Sequence, residues 1–312
     1  MAVTHLFDTK YYESGDNAYR IIIGDSTGTV TDTVSEMSLL APGMQISWRG
    51  NDTMSKPIMG SSLSMTAVLN DTQLATIESM VKDTNEGDIF CLFFTDDASD
   101  AKPYWYGHLL KETVSIEIKN EGHVVDMSFT DGLGSLRGAI WRDGDGDSYT
   151  GRKKLSFWLR EIVSKLPAYE GYKDYITSAS HLNLTSVPFL TELAWPDPST
   201  TTTDTYDEKD GKLDTLYVRA DTFNKPKKTV NRIRNLDVPL DYLNAADVLE
   251  DICICFGATA AIVDGRLTLA CRLDMGTLKN SFHHATYDYD PSGDSWTITH
   301  LCNNSSGFYS PD

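Results

Sequence analysis

The sequence predicts a mainly β protein with a few helices, built as tandem β-barrel or β-sandwich domains. Three observations lead to this fold class. The chain has 312 residues, about twice the ~150 of a typical domain. Hydrophobic residues make up 40% of it, which is enough for a sizeable core. Short apolar or alternating runs, separated by turn residues, fill most of the N-terminal half. We divide the chain into an N-terminal β domain with one helix (1–140), a linker helix (141–170) and a second β-rich domain (171–312).

In the first domain, short runs of β-branched, aromatic or alternating residues predict strands. The segments between these strands are polar and short, such as DDASDAKP and KNEG. Short connections of this kind favour antiparallel pairing of neighbouring strands. The predicted strands are 18–24, 44–49, 63–69, 88–95, 104–109, 113–118 and 123–130.

One amphipathic helix interrupts these strands after residue 69. Asn70 or Asp71 can cap its N-terminus, because their side chains accept hydrogen bonds from the first backbone amides. Its apolar residues share one face at helical spacing; they are Leu74, Ile77, Met80 and Val81.

The second half combines two further helices with β patterns. Residues 154–166 place their apolar side chains on one helical face and stop before Pro167. Asn244 can cap another helix, which ends at Gly257 and is followed by two strands around an Asp-Gly turn. Residues 295–300 form a further strand-like run. The segment 197–214 is an acidic, threonine-rich insertion with almost no apolar residues, which is typical of an exposed loop.

The charge balance excludes one class of partner. There are 45 acidic and 27 basic residues, a formal net charge of -18. Affinity for phosphates depends on Lys and Arg, so this balance argues against a nucleic-acid binder. No apolar run is long enough for a membrane span, and the start MAVTHLFDTK lacks the features of a secretory signal. We therefore expect a soluble protein made in a cytoplasm.

Several common enzyme motifs are missing from the sequence. It has no H-E-x-x-H, no phosphate-binding loop and no dinucleotide-binding glycine pattern. We therefore expect a protein that is not an enzyme and needs no cofactor. The abundant carboxylates and aromatic residues leave one alternative of a different class, a carbohydrate-binding or carbohydrate-hydrolysing module.

One acidic loop offers a weak candidate for a metal site. Asp143, Asp145 and Asp147 follow the D-x-D-x-D pattern with which a calcium loop begins. Ser148 stands where such a loop needs glycine, and Lys154 stands where it needs a bidentate glutamate. A turn rich in aspartate and glycine explains the same residues, so we expect no metal to be bound.

Two groups of residues are candidates for contact with other protein subunits. Trp105 lies between two tyrosines in a predicted strand and faces the opposite side from both of them. A basic stretch in the second half contrasts with the acidic chain; a solvated strand pair is the favoured explanation, and contact with an acidic neighbour subunit is the alternative. Its residues include Lys225, Lys227, Lys228, Arg232 and Arg234.

The order of these elements resembles the tail hub and baseplate proteins of bacteriophages. The matching stretches are PIMGSSLSMTAVL, FCLFFTDD, YWYGHLLKETVSIEI and VVDMSFTDGLGSLRG. They include a W-x-G strand (Trp105–Gly107) and a D-G-L-G turn within Thr130–Leu136. The later NAADVLEDICICFGATAAIVDGRLTLA is similar to the second unit of that family. Together the stretches make up about a quarter of the chain.

The resemblance implies a virion structural protein at the tail tip, assembled in the cytoplasm of the bacterial host. Hubs of this family are usually trimeric rings on the tail axis, and the neighbouring distal tail proteins are hexameric. The implied partners are further copies of the chain and the tube, tip or fibre proteins, with DNA passing only as transient cargo. No family catalytic residue exists to be transferred. A hexameric distal tail protein remains the alternative, and the segments 197–214 and 281–312 fall outside the resemblance.

Overall fold

The fold is mainly β with a few helices, which confirms the predicted fold class. The structure is a computed structural model. It describes residues 3–12, 18–31, 34–48, 57–95, 103–169, 189–192, 217–223, 243–256, 258–263, 266–271, 283–290 and 295–303.

The first half forms one curled antiparallel sheet with a single α-helix. The sheet has the strand order β1-β2-β6-β7-β9-β5-β3, with β8 paired to β9, and β4 belongs to another sheet. The elements are β1 (Thr4–Tyr12), β2 (Ala18–Asp25), β3 (Ser38–Trp48), β4 (Ile58–Met59), β5 (Ser61–Leu69), α1 (Asp71–Lys82), β6 (Ile89–Phe94), β7 (Trp105–Leu109), β8 (Ser115–Glu117) and β9 (His123–Thr130).

The two ends of this sheet approach each other. Just before β3, Ser35 forms a bridge to β1: the Asp8 amide donates to its carbonyl, and its own amide donates to the Leu6 carbonyl, each at 3.1 Å. The Met37 amide also donates to the Thr9 hydroxyl at 2.8 Å. The sheet therefore curls like a barrel, and β1 and the start of β3 are held together at one end.

Helix α1 begins as the sequence predicts. The Asn70 side chain accepts a hydrogen bond from the Gln73 amide, and the Gln73 side chain accepts one from the Asn70 amide, both at 2.9 Å. This reciprocal capping box satisfies two amides that the first turn of a helix leaves unpaired. Leu74, Ile77 and Met80 on the apolar face of the helix are buried against the curled sheet.

The second half adds a smaller sheet and three helices among the described residues. Its sheet has the order β16-β15-β11-β14-β13-β4, and β10 pairs with β12. The elements are β10 (Arg152–Lys154), α2 (Leu155–Val163), β11 (Phe189–Glu192), β12 (Tyr217–Arg219), α3 (Ala220–Phe223), α4 (Ala245–Phe256), β13 (Ala258–Val263), β14 (Arg266–Cys271), β15 (His283–Asp290) and β16 (Ser295–Asn303).

The predicted helix and hairpin near the end of the chain are confirmed. The Asn244 side chain accepts a hydrogen bond from the Asp247 amide at 2.8 Å and so caps α4. Strands β13 and β14 then pair antiparallel around the Asp-Gly position. A strand from the first half completes this sheet, because β4 pairs parallel with β13 through Ile58 and Ala260.

One hydrophobic cluster joins the two halves. Side chains on one face of the curled sheet, including Phe90 and Tyr106, pack in the same cluster as Trp158 of α2, Leu249 of α4 and Ile262 of β13. The opposite face of the sheet forms a separate cluster inside the curl. The shared cluster includes side chains from both sides of residue 140, so Trp141, Trp158 and other buried residues of the segment 141–170 belong to a core common to both halves.

Aromatic rings form the centre of the shared cluster. Trp158 contacts Tyr149 with ring centroids 5.3 Å apart and Phe223 with centroids 5.5 Å apart. Trp141 lies 4.9 Å from Tyr149. Edge-to-face and tilted geometries dominate, and these are favourable for aromatic pairs.

Candidate subunit interface

The two sequence stretches that resemble phage hub motifs meet at a buried polar network. One carboxylate oxygen of Asp131 accepts hydrogen bonds from the Ser61 amide at 2.5 Å and the Ser61 hydroxyl at 2.7 Å. The other oxygen accepts one from the Leu133 amide at 3.0 Å. The Trp105 indole donates to the Ser61 hydroxyl at 2.9 Å. The network thus fastens the ends of β5, β7 and β9 together.

Burial governs the protonation of the groups in this region. It raises the pKa of Asp131, although the hydrogen bonds from Ser61 and Leu133 act in the opposite direction. Burial also lowers the pKa of His108 to about 4, with a smaller opposing effect from Glu112. In the described part of the chain, the Nδ1 atom of His108 has no hydrogen-bond partner. His108 is therefore a neutral side chain near pH 7.

Trp105 does not contact other subunits from this position, which corrects its assignment as an interface residue. Its side chain has no exposed surface. Alternation correctly separates Trp105 from Tyr106, which lies in the shared cluster, but Tyr104 packs on the same cluster as Trp105, inside the curl. A side chain at Gly107 would collide with the Trp105 ring and the Thr130 carbonyl, so the W-x-G pattern serves packing.

The buried hydrogen bond of Trp105 predicts an effect on stability. We expect Trp105→Phe to lower the free energy of unfolding by about 1 kcal/mol, because one buried hydrogen bond is lost while the Ser61 hydroxyl keeps Asp131 as its acceptor. The oligomeric state should not change. Urea unfolding and native mass measure the two effects. An unchanged stability together with a lost oligomer would restore Trp105 as an interface residue.

The acidic loop at 143–147 is closed by its own backbone. One carboxylate oxygen of Asp143 accepts hydrogen bonds from the Asp147 amide at 2.7 Å and the Asp145 amide at 3.2 Å. Gly146 supplies the positive φ of 82° that the turn needs. Within the described residues, no group of three or more His, Cys, Asp or Glu side chains is arranged to hold a metal ion. The geometry is that of a turn rich in aspartate and glycine.

Other sequence candidates fall outside what the structure describes. The basic residues Lys225, Lys227, Lys228, Arg232 and Arg234, and the insertion at 197–214, lie in segments that are not described. Within the described helices, none is long and apolar enough to cross a membrane.

Strand β8 is exposed on both of its faces. Ser115, Ile116 and Glu117 are all exposed, and the adjoining Ile118 is 74% exposed. On one side β8 pairs with β9, where Ile116 lies opposite Val125. Among the described strands, none pairs with its other edge. An exposed strand edge that carries isoleucine is a site for pairing with another chain.

A groove of about 820 Å³ runs along β3. On the β3 side it is lined by Leu39, Met44 and Ile46, which are half-buried. No described strand pairs with the outer edge of β3. The indole of Trp48 donates a hydrogen bond to the Ile262 carbonyl at 3.2 Å, which anchors the end of β3 to the second sheet.

The opposite wall of the groove is a row of aromatic rings. Tyr11 and Tyr19 are stacked at 5.2 Å, Tyr19 and Phe93 are stacked at 6.0 Å, and Phe93 meets Tyr104 edge-on at 6.1 Å. Tyr19 is stacked between Tyr11 and Phe93, and Phe93 is only 5% exposed, so the ring faces of these two residues are covered. A sugar that binds to an aromatic residue needs an open ring face. This row therefore suits an apolar side chain better than a sugar.

A comparison of the chain with protein-family models and with curated proteins finds no match. The function must therefore be argued from the residues and their arrangement.

Neither the groove nor the open edge of β8 was predicted from the sequence. The signal for β8 was present, because SIEIK alternates polar and apolar residues, but alternation does not show whether the apolar side meets a core.

Proposed function

We propose that the protein is a structural subunit of the phage tail tip, a hub or baseplate ring component that joins the tail tube to the host-contacting tip or fibres. The observation that carries this proposal is the open edge of β8, a strand that has no partner on one side among the described strands; Ile116 in it and Ile118 directly after it are exposed. A strand edge of this kind suits a protein that works by binding neighbouring subunits.

A ring subunit must also be rigid. The shared cluster around Trp158 joins the curled sheet, α2, α4 and the second sheet. Because one core connects these elements, a force applied at one part of the subunit is transmitted to the rest. This supports a role in connecting two other parts of a tail.

The negative charge supports a position around the DNA-ejection channel. The formal net charge is -18, and carboxylates that line a channel would repel the phosphates of passing DNA. DNA would then pass through the ring without adhering to it. Lysine or arginine in the same places would hold DNA through its phosphates.

The copy number separates two forms of this proposal. A hub would form a trimer, since two linked β units in each of three chains match the sixfold symmetry of a tail tube. A distal tail protein would form a hexamer. The helix-plus-hairpin unit of α4, β13 and β14 favours the hub.

The proposal is tested by locating the protein in virions. Antibodies raised against the full chain should label the tip of purified phage particles in electron micrographs, and its peptides should be found in isolated tails. Labelling of capsids only, or absence of the protein from purified virions, would overturn the proposal. Binding of the purified chain to a glycan array would favour the carbohydrate-binding alternative instead.

A further inference from the structure

The open edge of β8 and the groove along β3 complement each other. We infer that, in the ring, β8 of one copy pairs with the outer edge of β3 of the next copy, so that Ile116 and Ile118 enter the groove. This inference rests on the proposed ring, and it specifies which surfaces form it.

Strand β8 has the pattern of a half-buried strand but lacks a core. Over residues 115–119, Ile116 and Ile118 alternate with the polar residues Ser115, Glu117 and Lys119, and the first three of the five form β8. Such alternation is typical of a strand whose apolar face is covered. Yet Ile118 is 74% and Ile116 36% exposed within the single chain. Only Val114, at the base of the strand, packs on the chain's own barrel cluster.

The groove has the opposite character, since it is an apolar surface along β3 that no described strand covers. Leu39, Met44 and Ile46 of β3 are half-buried at its edge. The inward-facing residues of β5, such as Leu63 and Ala67, are completely buried. A strand added beside β3 would cover this apolar surface and supply backbone hydrogen bonds to the edge of β3.

The strand that fills the groove must come from a second copy. Residues Ser115 and Glu117 of β8 are paired with Asp126 and Val124 of β9. In the sheet order, β5 lies between β9 and β3. The edge of β8 therefore cannot reach the β3 edge of its own chain without breaking the sheet.

The contact is heterologous, because its two halves are different surfaces of the subunit. Pairing of β8 with β8 of another copy would be isologous and would close at a dimer, leaving the groove open. Pairing of β8 with β3 leaves one unused β8 and one unused groove at the ends of every open chain of subunits. Such contacts continue until a ring closes.

Three single variants of the full chain test this pairing. Ile118→Asp removes the apolar side chain from β8, and Met44→Lys places a charge in the groove on a stem long enough to reach solvent. Ile254→Asp is the matched control, since Ile254 is 64% exposed on α4 and does not line the groove. Thermal unfolding followed by circular dichroism checks that each variant remains folded.

We expect wild type and Ile254→Asp to form the same ring, and Ile118→Asp and Met44→Lys to be monomeric. Loss of one central interface residue should weaken association about thirtyfold or more. Mixing the two monomeric variants should give a one-to-one heterodimer, because the intact β8 of Met44→Lys fits the intact groove of Ile118→Asp.

The outcomes separate this inference from the proposed ring. If Ile118→Asp still forms the wild-type ring, or if the mixture gives no heterodimer, the β8–β3 pairing is wrong and the ring stands. If wild type itself is monomeric, both the ring and the pairing are overturned.

Discussion

Replacing Trp158 by alanine is expected to lower the free energy of unfolding by about 3–5 kcal/mol, the usual cost of removing a buried large aromatic side chain. Trp158 is completely buried and contacts Trp141, Tyr149 and Phe223. Because the cluster is shared by both halves, the loss should destabilise them together. Urea unfolding followed by far-ultraviolet circular dichroism and by tryptophan fluorescence should show one coincident transition at lower urea.

Trp48→Ala is the matched control for Trp158→Ala. It removes the same side chain from a position that is 38% exposed, so we expect a clearly smaller loss of stability. Two separate transitions in Trp158→Ala, with only one of them shifted, would contradict a common core. The halves would then be independent domains, as the predicted boundaries at 140 and 170 imply.

The second large effect is a loss of stability on acidification that depends on His108. Its pKa is about 4 in the folded chain and 6.5 in an exposed histidine. Between these values the unfolded chain binds a proton that the folded chain does not. Stability from this group is therefore complete above pH 6.5 and falls as the pH decreases towards 4, by about 3 kcal/mol in total.

His108→Gln should remove this pH dependence, because glutamine has no proton to bind in that range. Urea unfolding of both proteins at several values between pH 7 and pH 4 measures the difference in slope. Asp131, whose raised pKa makes stability increase as the pH falls, is present in both proteins, so its contribution cancels in the difference. Parallel stability curves would show that folding does not lower the pKa of His108.

Local patterns in the sequence were sufficient for much of the fold. The cap at Asn70, the cap at Asn244 and the alternating strand β5 are confirmed, because each depends on neighbours within a few residues. Parallel pairing of Ile58 with Ala260 could not be predicted in this way, since it joins residues about 200 positions apart.

The candidate interface was harder to predict for a related reason. Trp105 was assigned to an interface because alternation separates two faces of a strand, but alternation does not reveal which face is inside the curl. Ile118 directly follows the last paired residue of β8, Glu117, and its exposure depends on where β8 lies in the assembled sheet. The groove depends on the relative positions of β3 and β1 in the folded chain, which the pattern within each strand does not specify.

The most direct test of the account is the mass of the wild-type protein in solution. Native mass spectrometry of the full chain should give a closed oligomer of three times the chain mass of 34.7 kDa, with a threefold ring in electron micrographs. Six copies would identify the distal tail form of the same proposal. A monomer at all concentrations, with the β8 edge open to solvent, would contradict the account.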